Sequence, residues 1–384
     1  MAGDFAGFVV RLARTCGSFA KVSIATLAFV MSAGIAVANC EEFYTVKEGD
    51  TLPKIAKAQL GSMFDYAKLQ QANFGTLGGS FEVRAGMVLD VPCPEVAPGE
   101  ARLNLSVMPD PETVAPLIKV GAVQVLDVRT AEETGGGVLP ETILIPFETF
   151  RGPADNPGLP PSEERLAEIF GNAGLHLDRP IVIVHHKPTQ MDTGRAAFVY
   201  WLLKSSGAEQ LAIMRGGFNA WQAIDLPVSE TAAKAEPYTA QVSFARTWRA
   251  DALDVYGVAT KQTNGYLLDA RPHSVVQRID DLGRRVRTTL PGAQNVPVQP
   301  LMSRLKGEID MVSGAAAVVD YMHSNDIDWR SGKVISFCNA GELSALNWFY
   351  ASEIAGLDNF VLFPESVAGW SSDGGNLVAI GSEG

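Results

Sequence analysis

The sequence predicts an α/β protein built from two repeated units, each with a central parallel sheet flanked by helices, and a smaller unit in front of them. Three observations predict this. Short apolar segments rich in β-branched residues alternate with amphipathic helical stretches, the pattern of a mainly parallel sheet covered on both faces. The pattern occurs twice. Leu126-Asp127-Val128-Arg129 returns as Leu268-Asp269-Ala270-Arg271, and Ile181–Val184 returns as Val334–Phe337. The helical stretch Arg195–Lys204 returns as Ser344–Ala355, and Arg215–Trp221 as Pro364–Trp370. Finally, 384 residues, 47% hydrophobic and 19% charged, suffice for two or three folded domains.

Residues 1–38 read as a secretion signal. Arg11, Arg14 and Lys21 precede an apolar run from Val22 to Ala38 that closes on Ala36-Val37-Ala38. Cleavage is expected after Ala38; an uncleaved membrane anchor is the alternative, because the apolar run is long for a signal. Asn39 before Cys40 does not fit a lipoprotein signal, and there is no twin-arginine pair. Residues 40–94 form the small unit. Residues 95–112, with Pro98, Pro109 and Pro111, read as a linker. The repeats occupy 113–230 and 245–380, joined by a second linker at 231–244. The net charge of −12 argues against nucleic acid or an anionic membrane as partner, since both attract basic surfaces.

The four cysteines divide unevenly. Cys16 leaves with the signal. Cys40 and Cys93 bracket the small unit and are expected to form a structural disulfide in an oxidising compartment. Cys338 is left without a partner, which in an exported protein suggests a reactive thiol or an intermolecular bridge. A β-branched run stops at Cys338, a loop containing Gly341 follows, and a helical pattern begins at Ser344. A thiolate there would lie among backbone N–H groups at a helix start, which lowers its pKa.

The repeat resembles the tandem rhodanese family of sulfurtransferases. The resemblance rests on Leu-Asp-Ala-Arg at 268–271, Leu-Pro-Gly-Ala-Gln-Asn-Val-Pro at 290–297, Cys338 after a strand, and Gly369-Trp370; the first copy matches through Leu-Asp-Val-Arg and Gly-Gly-Phe-x-Ala-Trp. It implies two rhodanese-like domains, of which the second carries the cysteine and the first is inactive. Residues 44–92 resemble a LysM module of βααβ order, through Tyr44-Thr45-Val46-Lys47-Glu48-Gly49-Asp50-Thr51-Leu52, Leu69-Gln70-Gln71-Ala72-Asn73 and Val83–Pro92. That family binds polymers containing N-acetylglucosamine, so the resemblance implies attachment to peptidoglycan outside the membrane, in the periplasm or an equivalent exported location.

On this reading Cys338 is the nucleophile, carrying sulfur as a persulfide between a small sulfur donor and a thiol or cyanide acceptor. The loop Asn339, Ala340, Gly341, Glu342, Leu343 and Ser344 supplies N–H groups to the anionic states, with no cofactor and no metal. Two features depart from thiosulfate chemistry in the family: Asn339 stands where Arg often follows the cysteine, and Glu342 would oppose a dianionic donor and raise the thiol pKa. Replacing Glu342 with Arg or Val is therefore expected to raise turnover. Compensating charge is expected from Arg284, Arg285 and Arg287 in the insert at 278–287. Arg271 and Asp269 are expected to organise the strand end. A phosphatase loop would need Arg six residues after the cysteine, where this chain has Ser344. In the first repeat the cysteine position falls near His185 or His186; Lys187, Arg195 and Arg215 are expected in surface or capping roles. A protein that binds sulfur without turnover, or a wall-bound scaffold, remains the alternative.

Overall fold

The computed structural model describes residues 43–60, 66–78, 80–92, 103, 105–234, 236–279, 285–297, 303–305, 308–372 and 378–381. The expected signal segment and the Cys40–Cys93 pairing lie outside the described residues, and no helix among those residues is long and apolar enough to cross a membrane.

The front module pairs β1 (Phe43–Thr45) antiparallel with β2 (Val88–Asp90), with α1 (Leu52–Leu60), α2 (Tyr66–Ala72) and a one-turn α3 (Phe74–Leu77) between them. Leu52, Ile55, Ala56 and Leu60 repeat at helical spacing and are the buried face of α1. Asn73 locks helices to sheet: its Nδ2 donates to Leu69 O and Asp90 O, both at 2.7 Å, and its Oδ1 accepts from Asp90 N at 2.8 Å. The short α3 adds a turn to the expected strand–helix–helix–strand order.

The first α/β unit runs through α4 (Pro111–Lys119), β3 (Gln124–Asp127), β4 (Thr142–Leu144), a 3-10 turn at Phe147–Phe150, α5 (Glu163–Ala173), β5 (Ile181–Val184), α6 (Gln190–Ser205), β6 (Leu211–Ile213) and α7 (Gly217–Ala223). Its sheet has the order β4-β3-β5-β6, and every pairing is parallel. Local chemistry sets the helix ends. Asp110 and Pro111 open α4, the Ser162 hydroxyl accepts from Arg165 N to open α5, and Gly174 at φ +70° closes it.

The second unit runs through α8 (Ala252–Ala259), β7 (Gly265–Asp269), α9 (His273–Val276), β8 (Gln277–Ile279), β9 (Arg285–Thr289), β10 (Gln294–Asn295), β11 (Ser303–Leu305), β12 (Glu308–Asp310) and α10 (Met311–Ser324). Then follow β13 (Lys333–Phe337), α11 (Glu342–Trp348) continued by a π-turn at Phe349–Ile354, β14 (Phe360–Leu362), α12 (Ser366–Ser372) and β15 (Val378–Gly381). The sheet order β10-β7-β13-β14, again parallel throughout, repeats the first. The arginine-bearing insert is where the copies diverge. There β8 and β9 pair antiparallel, and β15 completes a three-stranded sheet with Val378 opposite Thr289.

The stretches read as linkers are partly incorporated. Val107 O accepts from Ile213 N and Pro109 O from Arg215 N, so the chain from about 105 onward lines an edge of the first sheet. Trp248 and Ala250 make the equivalent edge bonds to Leu362 in the second. Within 231–244, Tyr238 bonds Gly171 O and stacks on His176 at 4.0 Å.

The two units meet along α6 and α11, and α6 is buried around nearly its whole circumference because it lies between its own sheet and the second unit. Gly194 lets α6 approach the start of α11: a Cβ there would lie 2.8 Å from Glu342 O. Below it, Lys204 pairs with the buried Glu353 at 2.7 Å and Tyr200 donates to the same carboxylate at 2.9 Å. The front module rests on the second unit, with Phe74 stacked on His323 at 6.3 Å and the Arg330 guanidinium 4.8 Å from the Phe74 ring centre.

Candidate functional site around Cys338

Cys338 follows β13, a central strand, at the carboxyl end of the second sheet, where ligands of such sheets gather. The chain turns through Asn339 and Ala340 to Gly341, whose φ of +107° lies in the left-handed region that favours glycine. A Cβ on Gly341 would also come within 2.8 Å of the Phe198 ring. The turn aims the Gly341 N–H at the sulfur, 3.1 Å from Sγ. The Ser344 hydroxyl lies 3.4 Å from Sγ and 3.0 Å from Gly341 O, so its single proton serves one acceptor or the other. The helix begins at Glu342, two residues earlier than the sequence pattern places it. Leu343 packs against the core, and Asn339 is exposed. The thiol itself is only 2% exposed.

Arg271 and Asp269 are bound to each other at the strand end. Arg271 Nε and Nη2 donate to the two Asp269 oxygens at 2.9 and 2.6 Å, Nη2 also reaches Thr288 O at 2.8 Å, and Nη1 lies 3.5 Å from Asn339 Oδ1. Arg285 and Arg287 are on β9, with Arg287 opposite Gln277 and Ile380 in register; Arg284 lies outside the described residues.

Three contributors were not singled out from the sequence. The first is Ser366. The Cys338 N–H donates to its Oγ at 3.0 Å, and the hydroxyl donates to Phe363 O at 2.9 Å. Ser366 adopts φ +54°, where the first repeat has Gly217 at +63°. A serine in a glycine's conformation was the available signal. The second is Glu365, beside it, which contacts Arg249; burial pushes its carboxyl above the usual range, against the pull of Arg249.

The third is Arg151, from the first unit. Its Nη1 donates to Ala340 O at 2.7 Å and its Nη2 pairs with Glu342 Oε1 at 3.0 Å. This corrects the expectation for Glu342: its charge is neutralised across the domain boundary rather than set free against the donor. Replacing it with Val or Arg would strand Arg151, so the expected gain in turnover does not follow. No local sequence pattern could reveal a contact 189 residues apart.

In the first unit His185 takes the place of Cys338. Phe218 N bonds His185 O at 2.8 Å and Asn219 N bonds His186 O at 3.1 Å, matching Val367 N to Cys338 O at 3.1 Å and Ala368 N to Asn339 O at 3.0 Å. His185 Nδ1 donates to Lys187 O at 2.9 Å, and burial lowers its pKa to about 4, so it is neutral near pH 7. Arg195 faces Glu133 and Asp192, at 3.8 and 3.7 Å, and Arg215 pairs with Asp110. Among the described residues no group of three or more His, Cys, Asp or Glu is placed to hold a metal.

Comparison with known proteins places these features. The LysM domain family matches residues 44–92 and the rhodanese-like domain family residues 110–224. The chain is similar to a thiosulfate sulfurtransferase of Corynebacterium glutamicum, 24% identical over 231 residues, covering 56% of this chain and 69% of that one. It is also similar to the 3-mercaptopyruvate sulfurtransferase of Escherichia coli, 26% identical over 174 residues, covering 44% of this chain and 60% of that one. It spans 53% of the length of a further relative from Synechococcus elongatus. The crystal structure of the Escherichia coli 3-mercaptopyruvate sulfotransferase superposes with a TM-score of 0.57 at 20% identity, over 68% of this chain and 99% of that one. Residues 44–92 thus carry a LysM domain and residues 110–224 a rhodanese-like domain, and the two α/β units together have the fold of that Escherichia coli structure.

Proposed function

We propose that the protein is a sulfurtransferase whose nucleophile is Cys338. The observation that carries the reading is the Gly341 N–H held 3.1 Å from Sγ at the first turn of α11. It places a backbone donor where the terminal anion of a persulfide on Cys338 would need one. The thiolate attacks the transferable sulfur of the donor: with thiosulfate the S–S bond breaks and its electron pair leaves with sulfite, and with 3-mercaptopyruvate the C–S bond breaks and its electron pair leaves with the enolate of pyruvate, which takes up a proton. An acceptor thiolate or cyanide then attacks the terminal sulfur of the persulfide and returns the Cys338 thiolate, so no outside oxidant or reductant is consumed. The Corynebacterium and Escherichia coli relatives, named for thiosulfate and 3-mercaptopyruvate, support these two donor classes. The LysM domain supports an exported protein held on peptidoglycan, with the docked module keeping the thiol near the wall.

The burial of Cys338, 2% exposed, favours a second reading in which sulfur is held or carried without efficient turnover. One experiment separates the two. The chain is incubated with thiosulfate, 3-mercaptopyruvate or glutathione persulfide, its intact mass is read, and cyanide is then added. A one-sulfur adduct absent from Cys338→Ser and discharged by cyanide supports transfer. An adduct that cyanide does not remove supports the carrier, and no adduct from any donor defeats both.

A further inference from the structure

We propose that Arg151 is a positioning residue for the Cys338 thiolate, supplied by the first α/β unit to the loop of the second. This rests on the sulfurtransferase reading and adds a residue on which that chemistry depends. Arg151 holds the two neighbours of Gly341 at once, through Ala340 O at 2.7 Å and the Glu342 carboxylate at 3.0 Å. Gly341 lies between these anchors, and its N–H faces Sγ. A two-point grip on either side of one peptide fixes where that N–H points. The guanidinium is itself fixed, with its carbon 5.1 Å from the Phe147 ring centre and 5.7 Å from that of Phe198. Phe198 is also the ring that abuts Gly341.

The surrounding charges make this arginine unlike the others. At the end of β7, Arg271 is bound by Asp269, and in the turn before α12, Glu365 contacts Arg249; both pairs lie within the second unit. Behind Arg151 in the first unit stand Glu148 and Arg195. Only the pair formed by Arg151 and Glu342 bridges the units at the loop itself, among the described residues. Burial lowers the Arg151 pKa while Glu342 and Cys338 raise it, and a guanidinium remains cationic throughout. Losing Arg151 would act twice in one direction. A cation disappears from the thiolate's surroundings, and the Glu342 carboxylate is left bare beside it; both favour the neutral thiol. An isolated first unit could neither react nor be dispensed with, which gives the cysteine-free repeat a chemical part.

A bridge that served stability alone would behave like Lys204–Glu353, which also spans the units but lies about three helical turns further along from Glu342. The test uses the full chain with R151M, R151K and E342Q, with K204M for comparison and C338S as the blank. The pH dependence of Cys338 alkylation by iodoacetamide is read by mass, alongside the rate of sulfur loading. R151M is expected to raise the apparent Cys338 pKa by about one unit, and to slow loading near pH 7 about tenfold. R151K should recover part of both, and R151M/E342Q should fall between wild type and R151M. K204M should lower the melting temperature and leave the titration in place. An R151M thiol that titrates as wild type, or a K204M shift of equal size, overturns the proposal. Should R151M fail to fold, E342Q keeps the arginine's bond to Ala340 and must lower the thiol pKa; an unchanged titration overturns the proposal equally. A wild type that accepts sulfur from no donor defeats the proposed function, and the thiol titration then decides the part of Arg151 independently.

Discussion

The two α/β units share a sheet order, an Asp–Arg clamp at the first central strand and a left-handed turn facing the second, yet only one has a thiol. Asp127 and Arg129 are bonded as Asp269 and Arg271 are, with Nη2 to Oδ2 at 2.6 Å in both. Strand register puts Val184 opposite Asp127 and Phe337 opposite Asp269, so His185 and Cys338 are the same position in two copies. The difference lies in what each loop presents next. Three residues after Cys338 comes Gly341, whose N–H faces the sulfur; three residues after His185 comes Pro188, which has no N–H to offer. In the first loop Lys187 O accepts from His185 Nδ1 instead, and the buried Nε2 has no hydrogen-bond partner. One copy of the fold thus turns a backbone N–H toward a sulfur and the other turns a backbone carbonyl toward a neutral ring, on the same backbone frame.

The sharpest way to break that comparison is to move the thiol. In a Cys338→Ser background, His185→Cys places sulfur at the matching position of the first unit. The expected result is no sulfur adduct above the Cys338→Ser level with any donor, because the donor of Gly341 has no counterpart there. Melting temperature would establish that the variant folds. Loading at the wild-type rate would mean that strand-end position alone suffices and that the Gly341 N–H is incidental.

The repeated sheets, the free cysteine and the clamp at the strand end were readable because each is local: β-branched runs, Leu-Asp-x-Arg and a lone Cys before a glycine lie within a few residues of one another. What the sequence hid is what arises between units. Glu342 reads as an unfavourable charge in isolation and becomes one half of a bridge once Arg151 arrives from the other domain. The insert gives no sign of its pairing, since its partner strand β15 lies far along the chain. The stretch at 95–112 reads as a linker because proline content says nothing of the edge bonds that Val107 and Pro109 make.

Acid provides the next largest effect. His185 is buried and its pKa falls from 6.5 to about 4 because the protein interior disfavours its charged form. The unfolded chain binds the proton more readily than the folded one between those values. The contribution is therefore intact above about pH 6.5, declines as pH falls toward 4, and is then fully lost. The loss attributable to this residue is roughly 3 kcal/mol. Denaturant unfolding of wild type and His185→Gln at both ends of that window isolates it from the carboxylates, which titrate in both proteins. Parallel pH profiles for the two would show that His185 is charged or solvated in the folded state.

Ser366 offers a subtler test, because the first repeat supplies its own control. A non-glycine residue at φ +54° carries a conformational penalty of about 1 kcal/mol, which Gly217 avoids at the matching turn. What the second unit gains is a hydroxyl that accepts from Cys338 N and closes the turn onto Phe363 O. Ser366→Gly relieves the strain but loses two hydrogen bonds worth about 1 kcal/mol each, so stability should fall by about 1 kcal/mol. Sulfur loading should slow about tenfold, near 1.4 kcal/mol in barrier, as the peptide that carries the thiol loses its anchor. Ser366→Ala keeps the strain without the hydroxyl and should be less stable than Ser366→Gly while loading no faster. If Ser366→Gly loads as wild type does, the hydroxyl serves only the turn, and the second unit tolerates a strained serine for a reason unconnected with Cys338.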